Sequence, residues 1–519
     1  AYVAARIWLS SNLEDIINRD PNRKYQINVE KFKIRAFWRG VSLRNVSIHP
    51  LVPDSTTTIT GSMTAARLVG LSRTALIRER NLEVQAIEFV RPQFKINFVK
   101  DTTTLQDHPG IEMKQLFGDI LSRGSLQTFK LIDGSIEINN SGEDAVFFTL
   151  DGLKILGVNI STDSLQWHHT IPFKMDDFSI AFDKLRYKPD QYYELEIGPM
   201  FYEEHPTSMS MENISLTFTM DVEQISDRLG IRKDLIELKM DSLNIEGFDF
   251  SYDSLSISGF AAQKILSDGL VLHDYRDKHK PRPKEPVKPL FAGMMKKIPI
   301  PFMIDTVLIR NADISYSERP EEWDQFGTLQ FSRAFASVYN MTNNPEYEKL
   351  LQSCNINVQA HINNKASVQS ELVIPYNGRD QFGFRATLDS ISMVFLNPTV
   401  LPLAGVTVHS VIIHKMDFSM SAYNSYSENE LVFDYDQLKI NILNKNDKKS
   451  GLTWLANPLI RTANKPEHNN YRIGKYKAER NIYRGPFNFM WNSLKEGLLE
   501  IVPSATAQKL AGQGKKKNK

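Results

Sequence analysis

Apolar residues recur along this chain at relative positions 0, 2, 5, 7, 12 and 14, a spacing built on strand alternation rather than on the helical period. Leu82, Val84, Ile87, Phe89, Phe94 and Ile96 follow it, as do Leu238, Met240, Leu243, Ile245, Phe250 and Tyr252. Further copies are Phe302, Ile304, Val307, Ile309, Ile314 and Tyr316, and Val406, Val408, Val411, Ile413, Phe418 and Met420. A weaker copy has Gly124 in the first slot, then Leu126, Phe129, Leu131, Ile136 and Ile138. Intervening residues such as Glu83, Glu88, Lys95 and Asn97 are polar. Each copy therefore predicts strand with one apolar and one wet face.

The steps inside the pattern are informative. The step from 2 to 5 is odd, so strict alternation sends the second pair to the opposite face. Either a β-bulge near positions 3–4 restores the face, or each strand is buried on one side early and on the other side later. The residues between positions 7 and 12 are turn-prone: Arg310-Asn311-Ala312-Asp313, Ile132-Asp133-Gly134-Ser135 and Glu246-Gly247-Phe248-Asp249. They predict a tight turn or sharp bend between two strand pieces.

The rest of the chain reads as short alternating runs, among them Ile27, Val29, Phe32 and Ile34, then Val41, Leu43, Val46 and Ile48. Helical spacing is confined to a few places. These are Ala4 to Asn18, the stretch with Met113, Leu116, Phe117, Ile120 and Leu121, Val222 to Leu229, Glu346 to Ser353, and a terminal segment 487–502. In the last, Phe487, Met490, Trp491, Leu494, Leu498 and Leu499 line one face behind Pro486. It is expected to cap the sheet end, with a membrane surface as its alternative partner. A Pro-rich stretch, 278–301, predicts an extended, poorly packed linker. It separates an N-terminal β-groove segment (1–277, with a leading helix) from a C-terminal one (302–519), and the two are expected to share one architecture. The fold expected is all-β dominated: an elongated, curved, mostly antiparallel sheet forming a long apolar groove, with a few short helices.

Composition narrows the function. Net charge is +1, so no basic field exists to hold nucleic acid, although the end of the chain carries Lys515, Lys516, Lys517 and Lys519. Cys354 is the single cysteine, which excludes an intrachain disulfide and any Cys-based zinc or iron–sulfur site. No run of about 18 apolar residues predicts a membrane-spanning helix. Because the sequence starts at Ala1, a preceding anchor or signal is expected to be missing. No phosphate-binding glycine loop, nucleophile elbow or HExxH motif occurs. His168-His169 would point to opposite faces of a strand, and His273 and His279, beside Asp274 and Asp277, read as a solvated charged loop. Cys354 reads as core, and Glu203-Glu204 and Glu321-Glu322 as loop. No cofactor and no catalytic or metal-binding residue is expected, and the chain reads as a non-enzyme; a glycan-active β-solenoid is the enzymatic alternative.

The segment from Lys296-Lys297-Ile298-Pro299-Ile300-Pro301-Phe302 through Ile304-Asp305-Thr306-Val307-Leu308-Ile309-Arg310-Asn311-Ala312-Asp313-Ile314-Ser315-Tyr316 resembles the recurrent strand unit of AsmA-like bacterial envelope proteins. So does Leu82 through Phe98, with Arg91-Pro92 before its closing strand; the N-terminal order is similar too, a helix, then a strand pair (Val29 to Ile48), then the Ala65-Ala66-Arg67-Leu68 and Leu71-Ser72 stretch before the Leu82 unit. The resemblance covers most of residues 1–320, weakens through 320–400 and returns at 406–443. It implies a protein held in the bacterial inner membrane by an N-terminal helix, with its body in the periplasm. The family is related to bridge-like lipid transfer proteins, and the role implied is phospholipid transport and outer-membrane homeostasis. Implied partners are phospholipid or another lipid, the membrane and other envelope proteins; the family has no catalytic motif to carry over. The groove candidates are the repeat positions Leu82, Val84, Ile87, Phe89, Phe94, Ile96, Leu243, Ile245, Phe250, Phe302, Ile304, Val307, Ile309, Ile314, Val406, Val408, Val411, Ile413 and Phe418. A structural or adhesive β-scaffold of the envelope without lipid cargo is the alternative.

Overall fold

The computed structural model describes Glu14, Asp15 and Asn18 and residues 25–34, 40–51, 58–70, 85–98, 125–140, 146–161, 176–253, 256–283, 286–321, 324–404, 406–442 and 460–504. Among these, 23 strands form mixed, mostly antiparallel sheet, with five short α-helices. The all-β expectation therefore holds.

The chain divides into two units, one of residues 1–219 and 244–258 and the other of residues 220–243 and 259–519. The first carries β1 (Tyr25–Ile34), β2 (Gly40–Pro50), β3 (Thr58–Val69), β4 (Ala86–Phe98), β5 (Ser125–Asn140) and β6 (Val146–Ser161). It continues with β7 (Asp177–Phe182), β8 (Lys184–Tyr187), β9 (Tyr193–Ile197), β10 (Met200–Glu204) and β11 (Thr207–Phe218). Helix α1 (Val222–Leu229) begins the second unit, and β12 (Asp234–Asp253) contributes to both. Then come β13 (Ser256–Asp268), β14 (Val271–Asp277), α2 (Phe291–Lys296), β15 (Phe302–Arg319), β16 (Gly327–Thr342), α3 (Pro345–Leu350), β17 (Ser353–Ile362) and β18 (Ala366–Pro375). The chain closes with β19 (Phe382–Leu388), β20 (Ile391–Ser392), α4 (Asn397–Ala404), β21 (Val406–Ala422), β22 (Tyr426–Ile442), β23 (Gly474–Glu479) and α5 (Pro486–Ile501).

In the first unit, β1 to β4 form an antiparallel meander, β4 and β5 pair in parallel, and β6 follows β5 antiparallel. β7 and β8 lie end to end along β6, broken at Asp183. β9 and β10 likewise lie end to end along β11, broken at Gly198-Pro199. At the β1 edge, the Asn18 side chain accepts from Ile27 N (2.8 Å) and donates to Ile27 O (2.7 Å). Glu14 accepts from Val29 N at 2.7 Å. These side chains occupy backbone groups that an edge strand otherwise offers to another chain.

The odd step after position 7 is a bulge. Position 9 is a left-handed residue in four of the five copies: Arg91 (φ 48°), Asp133 (φ 57°), Gly247 (φ 59°) and Asn311 (φ 50°). In the fifth, the β21–β22 register shifts between Ile413 and Lys415. The chain does not reverse there. The turn predicted at these residues is instead one extra residue inside a continuous strand, which switches the alternation. In β4, Ile87 and Phe89 before Arg91 and Pro92, Phe94 and Ile96 after it are all buried. In the copy that starts at Gly124, positions 3–4 behave alike. Gln127 N and Thr128 N both donate to Gln85 O (2.8 and 3.3 Å), so two residues of β5 face one of its neighbour.

These bulges align across strands. The registers set Asn45 (φ 51°) opposite Thr64, Thr64 opposite Arg91 and Arg91 beside Asp133, and Gly152 (φ 69°) on β6 follows. Further along lie the breaks at Asp183 and Gly198-Pro199 and the left-handed Asn213 (φ 52°) on β11. Arg91 Nε stands 3.7 Å from Asp133 Oδ2 along this line. In the second unit Gly269 (φ 67°), Asn311 and Arg333 (φ 50°) form a similar line, fastened by Asn311 Nδ2 to Asp268 Oδ1 (2.7 Å) and Arg333 N to Asp313 Oδ1 (2.9 Å).

The Pro-rich stretch is not a loose linker. β13 and β14 both pair with β15 in parallel. Parallel neighbours need a crossover connection, and residues 278–301 supply it. Its helix α2 is packed: Leu290 is fully buried, and Ala292 and Met295 are buried too. The unit boundaries fall instead near residues 219, 243 and 258. The two units also differ in construction. In the second, β15 and β17 to β22 share a core with α2, and Phe489 and Ile501 of α5 enter it. Small residues Ser493 and Gly497 let α5 lie against β22 and β23, where Tyr476 Oη donates to Ser493 O (2.6 Å) and Ser427 meets Ser493 (2.9 Å).

Candidate functional surface

Strand registers place one apolar residue beside another from β1 to β11. One row reads Phe32, Leu43, Ala66, Phe89, Leu131, Ile155, Ile180, Tyr202 and Met209. A second reads Ile59, Ile96, Ile138, Phe148, Tyr187, Leu195 and Leu216. Neither row contains an ionisable Asp, Glu, Lys or Arg. Paired residues that sit directly opposite project to the same side of a sheet, and Leu43, Ala66 and Phe89 of the first row share a cluster with Ile59 and Ile96 of the second, so the rows form a single face.

The other face carries the charge. Arg67 pairs with Glu88 (2.5 Å), Lys95 with Glu137 (3.0 Å) and Lys184 with Glu196 (2.5 Å) across neighbouring strands. The Lys184 ammonium hydrogen bond holds the Glu196 carboxyl below the usual carboxylate range.

Both hydrophobic clusters of the first unit are built from the apolar face. One gathers residues such as Val41, Leu68, Ile87 and Phe94; the other gathers Leu131, Leu150, Leu153 and Phe182 with half-buried Phe148, Ile180, Leu185, Ile197 and Met200. Among the described residues of this unit, neither cluster includes a residue from a helix or a second sheet. On β2 to β4 the face is closely buried, with Val41 1% and Ile59 0% exposed; from β7 to β11 it is largely half-buried. Aromatic rings continue it: Phe89 meets Phe129 edge-on at 5.7 Å, Tyr193 meets Phe218 at 5.3 Å, and Tyr202 meets Phe248 of β12 at 5.6 Å. Such a face presents dispersion and hydrophobic contact and no acid, base or nucleophile.

The repeat-based candidates fall in several places. Leu82 and Val84 lie outside the described residues. Ile87, Phe89, Phe94 and Ile96 sit on the apolar face of the first unit, in its closely buried part. Ile245 and Phe250 are half-buried on the part of β12 belonging to that unit, and Leu243 is half-buried in the second. Phe302, Val411, Ile413 and Phe418 are core residues of the second unit, with Ile304 and Val408 packed against them. Val307, Ile309, Ile314 and Val406 are half-buried there. The half-buried positions of β7 to β11, such as Ile180, Leu195, Met209 and Leu216, are absent from the repeat. Breaks at Asp183 and Gly198-Pro199 restart the pattern before it completes. Simple alternation in Phe178-Ile180-Phe182 and Tyr193-Leu195-Ile197 is the signal that marks them.

Ionisable groups gather elsewhere. His273, Asp274 and Asp277 lie on β14, paired with β12 and β15, rather than in a solvated loop. Arg276 there makes a two-pronged pair with Asp234, one contact being 2.5 Å. Asp274 Oδ1 is buried with no hydrogen-bond partner. Burial, then the neighbouring Asp234 charge, push the Asp274 carboxyl up to about 6. His168-His169 lies outside the described residues. Cys354 is buried in the second unit's core, and burial pushes its thiol up to about 11. Among the described residues, no helix is long and apolar enough to cross a membrane. No known family model matches the chain, and no curated protein matches it in sequence.

Proposed function

We propose that the apolar face of the first unit binds lipid acyl chains, and that the protein takes part, without catalysis, in phospholipid transport and outer-membrane homeostasis. In this reading the face is the wall of a β-groove in an AsmA-like protein of the bacterial periplasm, held to the inner membrane through an N-terminal anchor.

The observation that carries the proposal is the one-sided construction. Nine strand positions, counting β7 with β8 and β9 with β10 as one each, present an uncharged side and a charged side. At about 4.8 Å per strand, eight spacings give on the order of 40 Å of apolar width. A soluble sheet ordinarily spends such a face on an internal core. Here its clusters draw on that one sheet among the described residues, so the remaining contact is available to a ligand without polar demands.

The test is a photo-crosslinking amino acid placed at Leu195 on the apolar face and, separately, at Glu194 on the charged face. Native mass spectrometry of the full chain purified from cells accompanies it. Phospholipid adducts at 195 and not at 194, with co-purified lipid in the native spectrum, are expected. A lipid-free mass together with equal crosslinking at both sites refutes the reading. The scaffold alternative draws support from the second unit, where helices α2 and α5 pack onto a closed core. It predicts the lipid-free outcome.

A further inference from the structure

Helix α5 is apolar on two sides, and only one is used by the core. Phe489, Ser493, Gly497 and Ile501 are buried against the sheet. On the outward side Phe487 is 71%, Trp491 58% and Leu499 59% exposed. Phe487 touches Phe291 of α2 edge-on at 5.4 Å, which joins the two helices into one patch. Met294 of α2 (46%) and Tyr483 just ahead of α5 (49%) are exposed as well. Exposed apolar side chains are ordinary singly and meaningful when they gather in one patch.

We infer that this patch docks the second unit onto the surface of an anionic lipid bilayer, α5 lying in the plane of the interface. Three observations select a bilayer over a protein partner. Trp, Tyr and Phe together are the residues that settle at the headgroup boundary, where one end is apolar and the other wet. Lys495 interrupts the stripe between Trp491 and Leu499 and is exposed, a pattern that suits an interface open to headgroups and water better than a dry protein contact. The charge also matches. The chain is nearly neutral overall, yet Lys509, Lys515, Lys516, Lys517 and Lys519 follow the helix within residues 505–519, which contain no Asp or Glu. Each lysine near an anionic surface contributes roughly 1 kcal/mol of attraction. With 16 residues α5 is short of the ~20 needed to span a bilayer, so its apolar stripe serves an in-plane helix.

The inference is independent of the lipid-carrying face, and the experiment keeps the two apart. The full chain is mixed with phosphatidylcholine vesicles or with mixed phosphatidylcholine/phosphatidylglycerol vesicles and separated by flotation. Four forms are compared: wild type, the double variant Phe487→Ser/Trp491→Ser, the single variant Leu499→Asp and the variant Phe201→Ser, at an exposed aromatic of the first unit outside both surfaces. Wild type is expected to float with phosphatidylglycerol-containing vesicles and to lose that binding in high salt. The double variant is expected to bind at least about tenfold more weakly, which is about 1.4 kcal/mol. Leu499→Asp is expected to weaken binding too, and Phe201→Ser to leave it unchanged. Unchanged thermal midpoints establish that the exposed substitutions leave the fold intact. Absence of wild-type flotation, or equal flotation of the wild type and both helix variants, overturns the inference. So does a wild-type dimer that the double variant converts to monomer, which assigns the patch to a second copy of the chain. Loss of flotation in Phe201→Ser alone would mean that vesicles engage the first unit, also overturning it.

Discussion

The bulge line makes a prediction whose sign is opposite to ordinary strand preference. Arg91 is held at φ 48°, while Gln93, two residues on in the same strand, is exposed and has ordinary extended backbone. A non-glycine residue in the left-handed region costs roughly 1–2 kcal/mol, and a β-branched one lies at the upper end. Glycine escapes that cost but gives up about 0.5–1 kcal/mol of unfolded-chain entropy. The exposed pair with Asp133 at 3.7 Å adds little, typically below ~1 kcal/mol. At position 91 glycine should therefore be more stable than isoleucine by about 1 kcal/mol. At position 93 isoleucine should exceed glycine by about the same amount. The difference between the two differences is about 2 kcal/mol, or roughly 4–8 °C in the first unit's unfolding midpoint for a body of this size. Calorimetry on Arg91→Gly, Arg91→Ile, Gln93→Gly and Gln93→Ile measures it. The same order at both positions would show that the bulge does not govern which face the flanking residues take.

Three further outcomes follow from particular contacts. Gly497→Ala should destabilise by about 1–3 kcal/mol despite the helix preference for alanine, because the new Cβ meets Tyr476 Oη and comes 2.8 Å from Leu431 Cδ2; thermal unfolding against a Leu499→Ala control reads it. Asp274 has its carboxyl raised, chiefly by burial, so folding favours its protonated form. Its contribution is present at low pH and is lost as pH rises from about 4 to about 6. Asp274→Asn should therefore raise the midpoint at pH 7.5 relative to wild type and close that gap at pH 4, measured as the difference between the two melting curves. Cys354, buried and with its thiol raised to about 11, should resist alkylation by iodoacetamide in the folded chain and react fully in denaturant, as counted by mass spectrometry.

Much of this architecture is legible in the order of residues. Period-two alternation identifies the strands, and the odd steps after positions 2 and 7 mark where the alternation must be corrected. The helical spacing at Val222 to Leu229 and behind Pro486 marks real helices. What the residues Asn311 or Arg91 do could not be read locally, because a turn and a bulge use the same residue types. Only the paired neighbours distinguish them: a strand with hydrogen-bonded partners on both sides cannot reverse, so the extra residue is absorbed and the side chains change side. The Pro-rich stretch is a parallel case. Its prolines imply an extended segment, but the parallel pairing of β14 with β15 turns it into a crossover with a buried Leu290. The sequence by itself determined that the chain would build one-sided strands with apolar residues at fixed spacings. Tertiary structure decided which of those residues share a face with the half-buried strip of β7 to β11 and which disappear beneath α2 and α5. Alternation is a property of one strand, whereas the cover over a face depends on segments far away in the chain.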